Sequence, residues 1–327
     1  MGNISVIRNL RYERIEEFFN AIGYKGELFN LFANGNFVFR GHASDGYNLV
    51  PTALRKEKYD EFNRIALAKG KYETDTEYMQ ALKEYTILRR FYKMCDSRGL
   101  FLEDIERIRK SWNERIDLDT MWINEDWLPK DLWSLAALAQ HYGLPTRLLD
   151  WTHDKFAALF FAIEDFLEGR IKLKDTQNIV LWAMNLNFYY DSPNLGLPLR
   201  LVQPVYHGNP NMIAQQGMFT LWQVKKETKL EGDTHIADVS QKVNREPLDV
   251  LLDNYFSEKE NFNAQFLFKI ELPVSSFREI YQYLVDIGYD ASLIYPGYGG
   301  AAKAIKHDQF LLRGARLIKT GITFVRK

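Results

Sequence analysis

Apolar residues recur at helical or strand spacing along most of the chain. Ile15, Phe18, Phe19 and Ile22 mark one face of a helix that Gly23 closes. Residues 36–40 read as a short strand ending at Gly41, and residues 47–55 as a turn into a short helix with Pro51 near its first turn. A long helix is predicted over 74–96. Thr74 or Asp75 can cap it, Tyr78, Leu82, Tyr85, Leu88 and Phe91 form its stripe, and Gly99 follows. Residues 101–115 read as another helix. The charged, Trp-rich span up to Lys130 reads as an insert with no legible conformation.

The stretch 133–165, WSLAALAQHYGLPTRLLDWTHDKFAALFFAIED, is the most informative. A helix stops at Gly143, Pro145 breaks the chain, Leu148 to Thr152 form a short strand, and an almost wholly apolar helix follows. Downstream, residues 178–184, 218–224 and 264–272 read as strands, the last with clear alternation. Residues 225–248 are polar and aperiodic, which predicts a mobile excursion. Residues 275–287 form a helix burying Phe277, Ile280, Tyr281 and Leu284, with Gly288 at its end. The segment GYGGAAKAI at Gly297 enters a last helix, and residues 317–324 read as a terminal strand. Helices dominate the first half and strands recur in the second. The fold class expected is therefore α+β, with a central, mostly antiparallel sheet flanked by helices.

Composition narrows the class. At 327 residues with 46% hydrophobic and 14% aromatic content, the chain can build one elaborated domain. A net charge of −1 advertises no global field for nucleic acid. One cysteine, Cys95, excludes an intrachain disulfide and any cysteine-cluster metal site, and fits a reducing cytosol. No segment reaches ~20 consecutive apolar residues, so a cytoplasmic protein without a membrane span is expected.

Polar groups placed between greasy elements cost several kcal/mol unless satisfied or used. His141, Tyr142, Arg147, Asp150, Thr152 and His153 all lie in the most apolar stretch, which makes it the expected site. Arg40, at the end of an apolar strand and followed by Gly41, puts a phosphate- or carboxylate-gripping fork at a sheet edge. The alternative is an internal pair, with Asp150 as partner. Thr152 or Asp154 can equally be plain helix caps, and Gln215 and Gln216 a hydrogen-bonded turn. His141, His153 and Asp150 match no metal-ligand spacing, and no metal site is expected. There is no Walker A loop, the glycines at 297, 299 and 300 are a weak phosphate-nest signal, and Cys95 reads as packing.

Phe39-Arg40-Gly41, the run 135–152 (LAALAQHYGLPTRLLDWT) and residues 211–220 (NMIAQQGMFT) together resemble the signatures of the FRG domain family. The resemblance runs from about 30 to about 310 and implies a single FRG-type domain with a helical insert over about 56–130. The strand-then-helix at 148–162, beside Arg40, further resembles ADP-ribosyltransferases of the Arg-Ser-Glu type. That likeness implies NAD as cofactor, with Arg40, Gly41, Tyr142, Arg147, Trp151 and Thr152 around it. Asp150, Gln216 and His141 are then the candidate catalytic residues. Two serine positions of that pattern are Asp150 and Trp151 here, and Gln215-Gln216-Gly217 stands where its glutamate is expected. Two functions follow as expectations. One is a nucleotide-binding toxin or antiphage effector that modifies a protein or nucleic-acid acceptor. The other is a non-catalytic module that senses a nucleotide or phage component.

Overall fold

A computed structural model describes residues 5–103, 105–110, 125–191, 196–204, 209–225, 228–231, 234–237, 239–259, 262 and 264–312. Its centre is a seven-stranded sheet in the order β1-β9-β4-β2-β3-β6-β5. The strands are β1 (Ile7–Arg11), β2 (Phe37–His42), β3 (Leu148–Thr152), β4 (Asn178–Asn185), β5 (Leu199–Val202), β6 (Gly217–Trp222) and β9 (Leu267–Pro273). Only the β1–β9 pair is parallel; the remaining neighbours are antiparallel. With the helices on both faces, this is the α+β architecture expected from the sequence.

Strand alternation sorts the core into layers. On β2, Phe37 and Phe39 pack against the helix Lys155–Leu167, the helix Phe277–Asp286 and the helix Ile15–Ile22. Val38 points the other way, with Leu149, Trp151, Val180 and Trp182, onto the helix Leu248–Ser257. Beside the first layer, Leu148, Phe219 and Leu221 meet the helices Glu77–Ser97 and Trp133–His141. One sheet face thus carries two adjoining apolar clusters, and the space at their junction becomes the cleft.

Gly41 is set by packing. A Cβ there would stand 2.0 Å from the Ala158 carbonyl oxygen and 2.5 Å from the Ala162 nitrogen, so only glycine lets β2 lie this close to the helix behind it. The register around it is tight, too: β2 pairs with β4 over six residues but with β3 at a single pair, Phe39 with Thr152.

Several local expectations need correcting. The 74–96 helix begins at Glu77, and its cap is Thr76, whose hydroxyl accepts from the Met79 amide at 3.3 Å. Asp75 is instead a buried partner of Lys83 and of the Tyr59 hydroxyl. Residues 47–55 form only the 3-10 turn Thr52–Leu54. The polar excursion after 224 carries a two-stranded hairpin, β7 (Thr228–Glu231) with β8 (Thr234–Ala237). The helix expected at 101–115 is described over Glu106–Lys110. Most of the Trp-rich insert and the strand expected at 317–324 lie outside the described residues.

Candidate functional site

Because β2 and β3 share only one pair, they leave a gap beside Phe39 and Thr152 that Arg40 occupies. Its Nη1 donates to the Asp150 carbonyl oxygen at 2.7 Å and contacts the Asp150 carboxylate Oδ2 at 2.7 Å. Its Nε donates to His42 Nε2 at 2.9 Å. Nη2 makes no hydrogen bond among the described residues. The Arg40 side chain is 11% exposed and that of Asp150 62% exposed, so the arginine forms the wall and the carboxylate stands out into the cleft.

Charges around this pair decide its protonation. Desolvation pushes the Asp150 carboxyl upward, but the Arg40 charge and hydrogen bond, with Arg55 beyond, outweigh it and hold the pKa below its ordinary value. Burial drives His42 down to about 3, helped by the Arg40 and Arg55 charges. A neutral His42 must accept at Nε2 and carry its proton on Nδ1. Burial, then the Arg40 charge, also lowers the pKa of Arg55, whose Nε donates to the Val50 carbonyl at 2.8 Å. Two guanidiniums therefore act on the Asp150 carboxylate, and the Glu57 charge lies near Arg55 as well.

The rest of the cleft encloses about 500 Å³. Gln140, His141 and Tyr142 come from the end of the Trp133–His141 helix, which Gly143 terminates with φ 85°. Gln140 Nε2 donates to Asp150 Oδ1 at 3.1 Å, and its own carbonyl oxygen accepts from the Thr146 hydroxyl, which orients the amide. Tyr142 is largely exposed at the rim. Phe161, Tyr295 and Gln215 close the far side. The Tyr295 hydroxyl donates to Glu164 Oε1 at 2.8 Å, and burial followed by that carboxylate raises its pKa, so it stays protonated.

The residues singled out in the sequence divide. Arg40, Gly41, His141, Tyr142, Asp150, Trp151 and Thr152 line this one cleft. Arg147 does not. It lies on the other side of β3's start, buried, with Nε 2.6 Å from Glu84 Oε2 and Nη2 3.2 Å from Glu77 Oε2. Glu84 also accepts from Trp127 Nε1 at 2.6 Å and from Gln80 Nε2 at 2.8 Å, which makes this a satisfied structural network. Gln216 is also outside the cleft, and Gln215 stands in its place.

Two further side chains reach the cleft wall already committed. The Thr152 hydroxyl donates to the Gln215 carbonyl at 2.6 Å and accepts from the Asp154 amide at 2.9 Å. The Trp151 indole turns into the opposite core and donates from Nε1 to Thr220 Oγ1 at 2.9 Å. Asp154 is the cap of the following helix, accepting from Phe156 at 2.8 Å. Burial keeps His141 neutral by lowering its pKa. Among the described residues no cluster of histidine, cysteine and carboxylate groups could hold a metal.

Gln140, His42, Arg55 and Tyr295 escaped the sequence reading, which named Gln215 only as a turn residue beside Gln216. Gln140 and His42 had a signal, since one directly precedes His141 in the motif and the other lies two residues after Arg40 on β2; Arg55 and Tyr295 sit on distant segments that only the fold gathers.

A mixed sheet opened by an arginine between two strands, with its carboxylate partner standing in a cleft, defines this protein as an α+β module with a polar cleft at the β2–β3 gap. A family model, that of the FRG domain, matches residues 35–170, and the chain carries an FRG domain over that span. The span contains Arg40, Gln140, His141, Tyr142 and Asp150, the core of the cleft. No curated protein matches the chain, and no solved structure does. Among the described residues, no helix is long and apolar enough to cross a membrane.

Proposed function

We propose that the cleft binds an anionic nucleotide of the NAD class and that Asp150 acts at its ribose. The observation that carries this reading is an ionised, outward-standing Asp150 paired to a nearly buried Arg40. A guanidinium with an unused nitrogen, backed by Arg55, suits a phosphate. A cavity of about 500 Å³ suits a ligand of that size. The carboxylate would stabilise positive charge developing on the ribose as the bond to nicotinamide breaks and the base departs with the bonding electrons. The ribose carbon then bonds to a nucleophile of a protein or nucleic-acid acceptor, or to water, and the nucleophile's proton passes to solvent or to the leaving base. Tyr142 at the rim offers a stacking face. A toxin or antiphage effector is the setting this chemistry fits.

A second reading, a sensor that binds the nucleotide without consuming it, is favoured by two particulars. The Thr152 hydroxyl is committed to the Gln215 carbonyl, and Asp150 is the only acidic side chain lining the cleft among the described residues. Incubation with labelled NAD, with and without cell lysate and nucleic acid, separates the two. Label in free ADP-ribose or on a macromolecule supports the transferase. Saturable binding with intact NAD supports the sensor. Absence of both binding and turnover refutes the nucleotide reading altogether.

A further inference from the structure

On the other side of the Phe39–Thr152 pair lies a second cavity of about 470 Å³, and Phe39 contributes to both. Its walls are unusually aromatic. Phe29 and Phe32 come from the helix Glu27–Ala33, and Phe156 and Tyr289 from the start of the Lys155 helix and the loop after the helix Phe277–Asp286. These four rings are only partly buried. The frame that holds them is fixed: Phe32 sits edge-on to Phe37 and Phe39 at 5.1 and 4.9 Å, and Phe156 lies 5.4 Å from Tyr289. The Tyr289 hydroxyl is anchored on Asp154 Oδ2 at 2.5 Å.

Gln216 stands at the mouth of this pocket in a conformation that its residue type disfavours. Its φ is +44°, in the left-handed region where a long side chain is uncommon. The backbone is pinned there, because its carbonyl accepts from the His153 amide at 3.1 Å and its own amide donates to Ile213 at 3.1 Å. Its exposed side-chain amide makes no hydrogen bond among the described residues. Strain of this kind persists where the surroundings over-determine it, and it gathers at ligand sites. Lys155 adds a cation, with Nζ 4.5 Å from the Phe156 ring centroid.

We propose that this pocket is a nucleobase site in which Phe29, Phe32, Phe156 and Tyr289 supply stacking faces, Gln216 reads a base edge, and Lys155 meets an attached phosphate. A free carboxamide can pair with a base edge through one donor and one acceptor, and aromatic platforms hold any base through its π-face. The site is independent of the Arg40 cleft, so it stands or falls apart from the function proposed there.

The test uses adenosine, which has no phosphate for Arg40, and a short oligodeoxyadenylate, titrated calorimetrically into the full chain and its variants. Gln216→Gly removes the amide and relaxes the backbone, so its Tm is expected at or above wild type. Adenosine is expected to bind wild type and Arg40→Lys alike, and to bind Gln216→Gly and Phe29→Ala at least ~10-fold more weakly, a difference of about 1.4 kcal/mol. Much tighter binding of the oligonucleotide identifies a base within a strand; equal binding identifies a free nucleoside. The proposal is overturned if wild type shows no saturable adenosine binding at millimolar concentration, if Gln216→Gly binds normally, or if Arg40→Lys alone abolishes binding.

Discussion

Asp150→Asn isolates the charge of the cleft carboxylate from its shape. The amide oxygen can still accept from Gln140, and Arg40 keeps its 2.7 Å bond to the residue-150 carbonyl, so the strand gap stays bridged. With the Asp150 side chain 62% exposed, its ion pair belongs to the solvent-screened kind worth ~0–1 kcal/mol, and stability is expected to change by no more than that. The effect on chemistry is larger. A unit charge about 4 Å from a developing cation is worth at most ~4 kcal/mol at an effective dielectric near 20. A loss of turnover of at least ~100-fold, or about 2.7 kcal/mol, lies within that bound. Affinity for ADP-ribose is expected not to weaken, because Arg40 loses its competing anion. Nicotinamide release measured chromatographically, ligand calorimetry and a thermal melt read the three quantities separately. The pH dependence follows from the depressed Asp150 pKa. The carboxylate is already ionised above ~3.9, its ordinary value, so it imposes no loss of turnover between pH 7 and 5. Its contribution to stability is present above that value and is lost as pH falls through the lower folded-state pKa. Turnover within about threefold of wild type in the folded variant would refute Asp150 as the acting group.

Other variants test the frame around the cleft. Arg147→Met leaves Glu77 and Glu84 buried without their cation and is expected to cost ~3–5 kcal/mol in urea unfolding. Arg40→Gln leaves the buried His42 acceptor unpaired and is expected to cost ~1–2 kcal/mol, and equal costs for the two would contradict their assigned roles. Gly41→Ala drives a Cβ into the backbone of Ala158 and Ala162 and is expected to lose ~1–3 kcal/mol or more; an unchanged melt would mean the strand–helix contact yields easily. His42, neutral with its pKa lowered to about 3, binds its proton only in the unfolded chain between that value and ~6.5. Stability is therefore fully present above ~6.5 and falls as pH drops toward 3, with a slope approaching ~1.4 kcal/mol per pH unit from this residue. His42→Gln should flatten that slope in urea titrations at pH 7, 5.5 and 4.5; an unaltered slope would assign it to other groups.

Periodicity and punctuation carried much of the fold. The helix ending at Gly143, the strand Leu148–Thr152 and the helix burying Phe277, Ile280, Tyr281 and Leu284 follow from local rules, since apolar spacing and left-handed glycines act within a few residues. The motif around residues 135–152 likewise marked the region of the cleft. Local rules could not say which polar side chain would face it. Arg147 and Asp150 are three residues apart on the same short segment, yet one is buried with Glu77 and Glu84 and the other stands in the cleft beside Arg40. That outcome depends on partners 63 to 110 positions away, brought in by the Glu77–Ser97 helix and by β2. The Gln215–Gln216 turn shows the same limit, because a single left-handed residue sends neighbouring amides into different cavities. The chain's own pattern located the helices and central strands around the cleft, but not the edge strands β1 and β5, the helix Leu248–Ser257 or the β7–β8 hairpin in the polar segment. Only the sheet order, with β2 and β3 touching at one pair, decided which charges meet, because non-local pairing sets distances that sequence spacing does not encode.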